Sequence, residues 1–319
     1  MIKTQQSERS AMKKLVLLFA LVFCIHAVSG CAAAASRRSE ESPGAGGATT
    51  ASAGQWTARQ VAVIEGFKTP ESVCVDPQTG AAYVSNIEAQ NEAWWADDGL
   101  GFISRLSPGG KVDMMAWRES RPGDVINSPK GLCILGRDLY VTDNARLLRF
   151  SLLLGIPGQA IFVPGAERLN DLATDGKAVW MTDSATGKIL RLDENGAREV
   201  MTLKSPNGIT FHNGKMFGVS WDLHEIYELD PSGREEPKPF GLAEHFKNLD
   251  GIEVLDDGSF IVSDFMGDKV SIVSPDRRSA RTLIEIQTPA DIGLDRARGL
   301  LYVPQFMHDK VVVFQLDKK

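Results

Sequence analysis

The stretch SPNGITF at residues 205–211 decides the fold. Pro-Asn-Gly is a turn signature, and one copy says only that the chain bends there. Its echoes say more: TPESVCV (69–75), SPKGLCI (128–134), RLNDLAT (168–174), NLDGIEV (248–254) and TPADIGL (288–294). The turn recurs at Pro70, Pro129, Leu169, Pro206, Leu249 and Pro289, at intervals of 59, 40, 37, 43 and 40 residues. A period of roughly 40–45 residues is that of propeller blades.

Each unit repeats one grammar. A short apolar strand follows the turn (SVCVD, ITFHN, IEVLD), and a Gly- or Asp-marked hairpin comes next (PQTGA, DDGS, RARG). An aliphatic strand then ends in a polar residue (AYVSN, LYVTD, VWMTD, FIVSD), and a third strand alternates apolar residues (KILRLD, KVSIVS, KVVVFQL). Alternation with β-branched enrichment is a strand signal, and nothing after residue 56 keeps a long helical period. The pattern predicts an all-β chain: six four-stranded antiparallel blades in a six-bladed β-propeller. RQVAVIEGF (59–67) supplies the outermost strand of the last blade and closes the ring. LLLGI (152–156) reads as blade core.

Strand parity puts the six turns and the loop after each second strand at one mouth. The longest such loop is NIEAQNEAWWADDGLG (86–101), whose length, two tryptophans and two aspartates suit a lid. SWDLHE (220–225) and QFMHDK (305–310) join it.

The 319 residues do not all belong to this fold. Residues 13–31, KKLVLLFALVFCIHAVSGC, place two lysines before an apolar run and small residues, which is a secretory signal. VSGC resembles a bacterial lipobox. The reading is a lipoprotein signal over 1–30, a flexible Ala/Gly/Ser-rich tether over 31–55 beginning at a lipidated Cys31, and the propeller over 56–319. It implies an exported lipoprotein held at a membrane surface, periplasmic face or cell surface, through that lipid alone.

The net charge of −6 becomes −9 once residues 1–30, with four Lys/Arg and one Glu, are removed. An acidic surface argues against nucleic acid. No P-loop and no GxGxxG follows a strand, so no nucleotide is indicated. Cys74 and Cys133 share one repeat position and read as small buried residues without a bond between them. There is no GxSxG elbow and no HExxH. His212 falls in a hairpin, whereas His224 and His308 fall in mouth loops within reach of a substrate. Asp143, Asp183 and Asp264 end second strands, where acceptors for loop N–H groups are expected.

On a ring, equivalent positions face one axis. The turn residues therefore converge: Glu71, Lys130, Asn170 with Asp171, Asn207, Asp250 and Asp291. Two carboxylates and two amide oxygens suit a hard divalent cation, Ca²⁺ first, with Mg²⁺, Mn²⁺ or Zn²⁺ as alternatives.

These residues carry a resemblance. Over about residues 60–316 the chain resembles the six-bladed propellers of the gluconolactonase/senescence-marker-protein family. The resemblance implies a divalent cation held by Glu71 of TPES, Asn207 of SPNG and Asp250 of LDGI. It also implies a substrate contact at Arg168 and a cation ligand at Asn170, both from RLND. Ser72 and Leu172 stand where that family has Gly, and the sixth repeat lacks its Phe-Gly-Gly stretch, so the resemblance speaks for the cation more than for sugar lactones.

The expected function is metal-dependent hydrolysis of a small cyclic ester. Asp250 serves as base with Glu71 as the second candidate. Arg168, Asp171, Trp94, Trp95, Trp221, His224 and His308 are placed against the substrate. The rival is a tethered binding propeller with a structural Ca²⁺ and a protein or glycan partner.

Overall fold

The computed structural model describes residues 56–153 and 158–319. The expectations for 1–30 and 31–55, Cys31 included, lie outside the described residues. Among the described residues no helix is long and apolar enough to cross a membrane.

Six four-stranded antiparallel sheets carry the chain. Their innermost strands are Pro70–Val75, Pro129–Leu135, Leu169–Thr174, Pro206–His212, Leu249–Val254 and Gly293–Asp295. These strands pack on one another around a ring. The strand Trp56–Glu65 pairs with Lys310–Lys318, from Trp56 opposite Lys318 to Glu65 opposite Lys310. It closes the sixth blade, so the ring is fastened by strand pairing between the two ends of the fold.

The core lies between blades. Six apolar clusters each join two neighbours: Val84 and Tyr302 across blades 1 and 6, for example, or Phe217 and Phe260 across blades 4 and 5. Each blade is thus apolar on both faces, which is what the near-continuous aliphatic second strands require. The blade-core reading of 152–156 holds only in part: Leu152 packs against the core between blades 1 and 2, Leu153 is 64% exposed, and 154–156 lie outside the described residues. Leu153 follows the third strand of blade 2, Arg146–Ser151, and has left the sheet.

Six equivalent pairs show that turns and second-strand ends share one edge. Pro70 faces Asn86, Pro129 faces Asp143, Leu169 faces Asp183, Pro206 faces Ser220, Leu249 faces Asp264, and Pro289 bridges Gln305. Directly after this pair the ladder breaks in the first five blades, between Pro70 and Val73 and at the four matching places. Second-strand hydroxyls take over the freed backbone groups. Ser72 N donates to Ser85 Oγ (2.9 Å), Asp171 N to Thr182 Oγ1 (3.0 Å) and Gly251 N to Ser263 Oγ (2.7 Å). Thr142 Oγ1 and Thr182 Oγ1 then donate to the Asn170 and Asn207 carbonyls of the next blade. A bulge re-aims the side chains at its centre. In those five blades it sets two successive residues toward the centre of the ring, and Ala290 and Asp291 take the matching places in blade 6 without a bulge.

Candidate functional site at the mouth of the channel

The two residues at each of these places form two tiers. The first holds Glu71, Lys130, Asn170, Asn207, Asp250 and Ala290. The second, one residue on, holds Ser72, Gly131, Asp171, Gly208, Gly251 and Asp291. Asp171 and Asp291 therefore do not belong with the first-tier residues, as the sequence reading had them. They occupy the place where three other blades have glycine. A Cβ at Gly131, Gly208 or Gly251 would collide with the next blade, so side chains fit this tier only where they bond to their neighbours.

The turns are held from below. Asp143 Oδ1 accepts from Asn127 N (2.9 Å) and Ser128 N (2.8 Å). Asp183 accepts from Glu167 N and Arg168 N, and Asp264 from Lys247 N and Asn248 N. These three aspartates do what the sequence suggested. Thr69, Ser205 and Thr288, each before a turn proline, adopt φ of 49°, 45° and 43°. Positive φ is costly for a β-branched residue, so strain gathers at this mouth.

In the first tier, Glu71, Asn207 and Asp250 are buried on blades 1, 4 and 5. Glu71 Oε2, Asn207 Oδ1 and Asp250 Oδ1 have no hydrogen-bond partner. Burial, then the Asp250 carboxylate, push the Glu71 carboxyl well above its usual range; Lys130 opposes them. Burial and then Asp291 push Asp250 up as well, while its hydrogen bond with the Asn207 side chain favours the ionised form. Glu71 thus feels Asp250, and Asp250 touches Asn207: three blades bring three orphaned oxygens into one field. Among the described residues no three His, Cys, Asp or Glu gather as a metal cluster. The set here is two carboxylates and an amide. Buried oxygens left without donors are the ligand type a hard cation takes, so these residues fit one. Asn170 is only half-buried; its Nδ2 donates to Ser184 Oγ (3.1 Å), and its Oδ1 is not among the orphaned atoms.

The second tier differs. Asp171 Oδ1 accepts from Leu172 N (2.6 Å) and its Oδ2 from Ile209 N of blade 4 (2.7 Å). Asp291 Oδ2 accepts from Ser72 Oγ (2.5 Å), and the Asp171 and Asp291 side chains bond to each other. Both face a cavity of about 390 Å³ at the opposite end from the turns, with Cys74 and Cys133 on its wall. Those two cysteines are unbonded; Cys133 is buried as expected, whereas Cys74 is only half-buried.

Lys130 was among the turn residues but was given no role. Its ammonium is buried, donates to Trp94 O (2.7 Å) and Ser128 O (3.2 Å), and lies 3.7 Å from the Trp95 ring centroid. Burial lowers its pKa to about 8, against the pull of Glu71. It thereby ties the 87–101 loop to blade 2. The same loop is clasped through Asp97 Oδ1, which accepts from Asn127 Nδ2 and Asn144 Nδ2 (3.1 and 2.7 Å). Arg168 is exposed, 5.6 Å from the Trp95 centroid.

Trp94 and Trp221 flank the mouth, joined through Phe306 and Phe265, which the sequence reading overlooked. His224 stands in its loop at φ 56°, the left-handed turn position that Asp268 and Asp309 take in the next blades, and its buried Nδ1 lacks a partner. His308 closes the one-turn helix Phe306–His308 and is exposed.

No protein-family model matches the sequence, and no curated protein matches it. Solved structures do match. One is a protein provisionally named a gluconolactonase, at 19% identity and TM-score 0.60, covering 83% of this chain and 93% of that one. Another is an inactive His-to-Ala variant of virginiamycin B lyase from Staphylococcus aureus with quinupristin, at 16% identity and TM-score 0.55, covering 82% and 99%. A streptogramin B lyase matches at 12% identity and TM-score 0.55, covering 82% and 98%. At these identities the likeness speaks for the fold alone, whose six blades are those described above, and not for the reaction.

Proposed function

We propose that the protein is a divalent-cation-dependent hydrolase of a small cyclic ester, with its centre at the first tier. The observation that supports it is the trio of buried, partnerless oxygens on Glu71, Asn207 and Asp250. These residues would hold the cation, Ca²⁺ first, with Asn170 beside them. Bound there, a divalent ion supplies Lewis-acid polarisation of the ester carbonyl and stabilises negative charge developing on its oxygen.

The chain's own residues do the rest. Asp250 takes the proton from the attacking water. Lys130 adds a fixed positive charge beside Glu71 and holds the loop bearing Trp94 and Trp95 over the site. Arg168, free at the rim, steers a carboxylate or hydroxyl of the substrate. Asp171 is not assigned to the substrate, because both its oxygens are engaged in the fold. His224 and His308 remain candidate rim contacts.

The test is a panel of lactones offered to the purified protein with Ca²⁺ or with chelator. The reading expects turnover that chelator abolishes and Ca²⁺ restores. Cation uptake without turnover would instead leave a binding propeller with a protein or glycan partner. We also propose export and lipidation at Cys31; mass spectrometry of the protein from membranes would find an acylated N-terminal cysteine.

A further inference from the structure

The first tier is not polar all the way round. Five blades supply Glu71, Lys130, Asn170, Asn207 and Asp250, but the sixth supplies Ala290, fully buried. Ile87 and Phe306 pack on Ala290, with Trp94 and Phe265 partly buried against them. From there the rings run on in series. Trp94 meets Phe306 at 5.4 Å, Phe306 meets Phe265 at 5.5 Å, and Phe265 meets Trp221 at 5.5 Å, all tilted or edge-on.

Each member is pinned beside a turn. Ile87 N donates to Thr69 O, Phe306 N to Thr288 O, Phe265 N to Asn248 O and Trp221 N to Ser205 O. The arc therefore shares the mouth with the orphaned oxygens and runs from the blade 1 loop through blades 6 and 5 to blade 4. Trp94, Phe265 and Trp221 all keep part of their surface exposed. A contiguous apolar surface edged by polar groups marks a binding groove, whereas scattered apolar residues do not. Apart from the two indole N–H groups the arc offers a hydroxyl no hydrogen-bonding atom, an arrangement that suits an apolar group better than a polyol.

We infer that the ester carries an apolar substituent, alkyl or aryl, which lies on the Trp94–Phe306–Phe265–Trp221 arc while the ester group sits over the Glu71–Asn207–Asp250 oxygens. This names the substrate class of the site and rests on the hydrolase reading above. Phe265 and Trp221 become specificity determinants, and polyhydroxylated sugar lactones are poor substrates.

Two series test it. For 5-alkyl γ-lactones of growing chain length, kcat/KM rises about fourfold per methylene over the first few carbons, and glucono-δ-lactone falls below the whole series. Phe265→Ala, chosen because its ring is half-exposed, flattens that rise, and circular dichroism checks its fold. The matching 5-alkyl γ-lactams, which share the ring and resist hydrolysis, quench tryptophan fluorescence with affinity that climbs along the series. Lactam affinity independent of chain length overturns this inference. So does a preference for gluconolactone, or a Phe265→Ala slope equal to the parent's. Absence of turnover for every lactone overturns the hydrolase reading instead, and the lactam series still decides whether the arc takes an apolar group.

Discussion

The two tiers of the channel lie one position apart along the chain. Both hold buried carboxyls with raised proton affinity. They differ in what their oxygens meet. Asp171 and Asp291 are spent on Ile209, Leu172, Ser72 and each other, so that tier works as a ring of staples between blades. Glu71, Asn207 and Asp250 each keep an oxygen that nothing donates to. Burial and a shifted pKa do not by themselves separate a structural carboxyl from a candidate site; the unanswered oxygens of Glu71 and Asp250 are what set these two carboxyls apart from Asp171 and Asp291.

The largest expected effect comes from exchanging the tiers' fates. Asp250→Ala should abolish Ca²⁺ uptake in calorimetry and lower kcat by about a thousandfold. Asp171→Asn should keep the cation site and cost about 1–3 kcal/mol in urea unfolding, because a buried N–H loses a charged acceptor. Equal loss of Ca²⁺ affinity in both variants would break the distinction.

Next comes pH. In the chelated protein Glu71 and Asp250 hold protons above their ordinary range, and Asp291 holds one up to about 6. The unfolded chain releases the same protons near pH 4. The folded state therefore binds more protons than the unfolded state above that pH. The stability that these three carboxyls contribute is full below about pH 4 and is lost as pH rises, for Asp291 through about 6. Thermal melts with chelator should lose several degrees between pH 5 and 8. Ca²⁺ should remove most of that loss, because it answers the first-tier charges and not Asp291.

A smaller effect separates the lid from the cage. Lys130→Met removes the ammonium from Trp94 O and the Trp95 ring. It should raise KM about tenfold and speed proteolysis within residues 87–101. Asp97→Ala, which frees Asn127 and Asn144, should do the same to proteolysis with less effect on KM. Smallest of all, Arg168→Ala should raise KM only a few-fold, since the side chain is exposed and screened.

Much of the fold was legible because its signals are local and repeated. Six turns at one register, Ser/Thr-Asp second-strand endings and an extra first strand specify six blades and their closure. The three residues proposed to hold the cation were read from three of those turns, and the structure leaves an oxygen of each without a partner. The two tiers were not legible. Parity along a regular strand assigns adjacent residues to opposite faces, and a bulge at this point suspends that rule. Asp171 lies within such a bulge, whereas Asp291 precedes the short sixth innermost strand, which has none; both were read together with residues they do not join. Lys130 resembled the other turn residues, because its partners lie in a loop some 36 positions upstream. Phe265 and Phe306 were hidden for the same reason: each is a single aromatic in its own loop, and only the ring brings them into series. The Asp143, Asp183 and Asp264 caps act within their own blade and were read correctly.

The central claim is that three distant turns form one cation site. Calorimetry of chelator-stripped protein against CaCl₂, on the parent and on Glu71→Gln, Asn207→Ala and Asp250→Asn, tests it most directly. The account predicts one saturable site in the parent, weakened at least about tenfold by every substitution. No uptake by the parent, or uptake that all three variants retain unchanged, would contradict it.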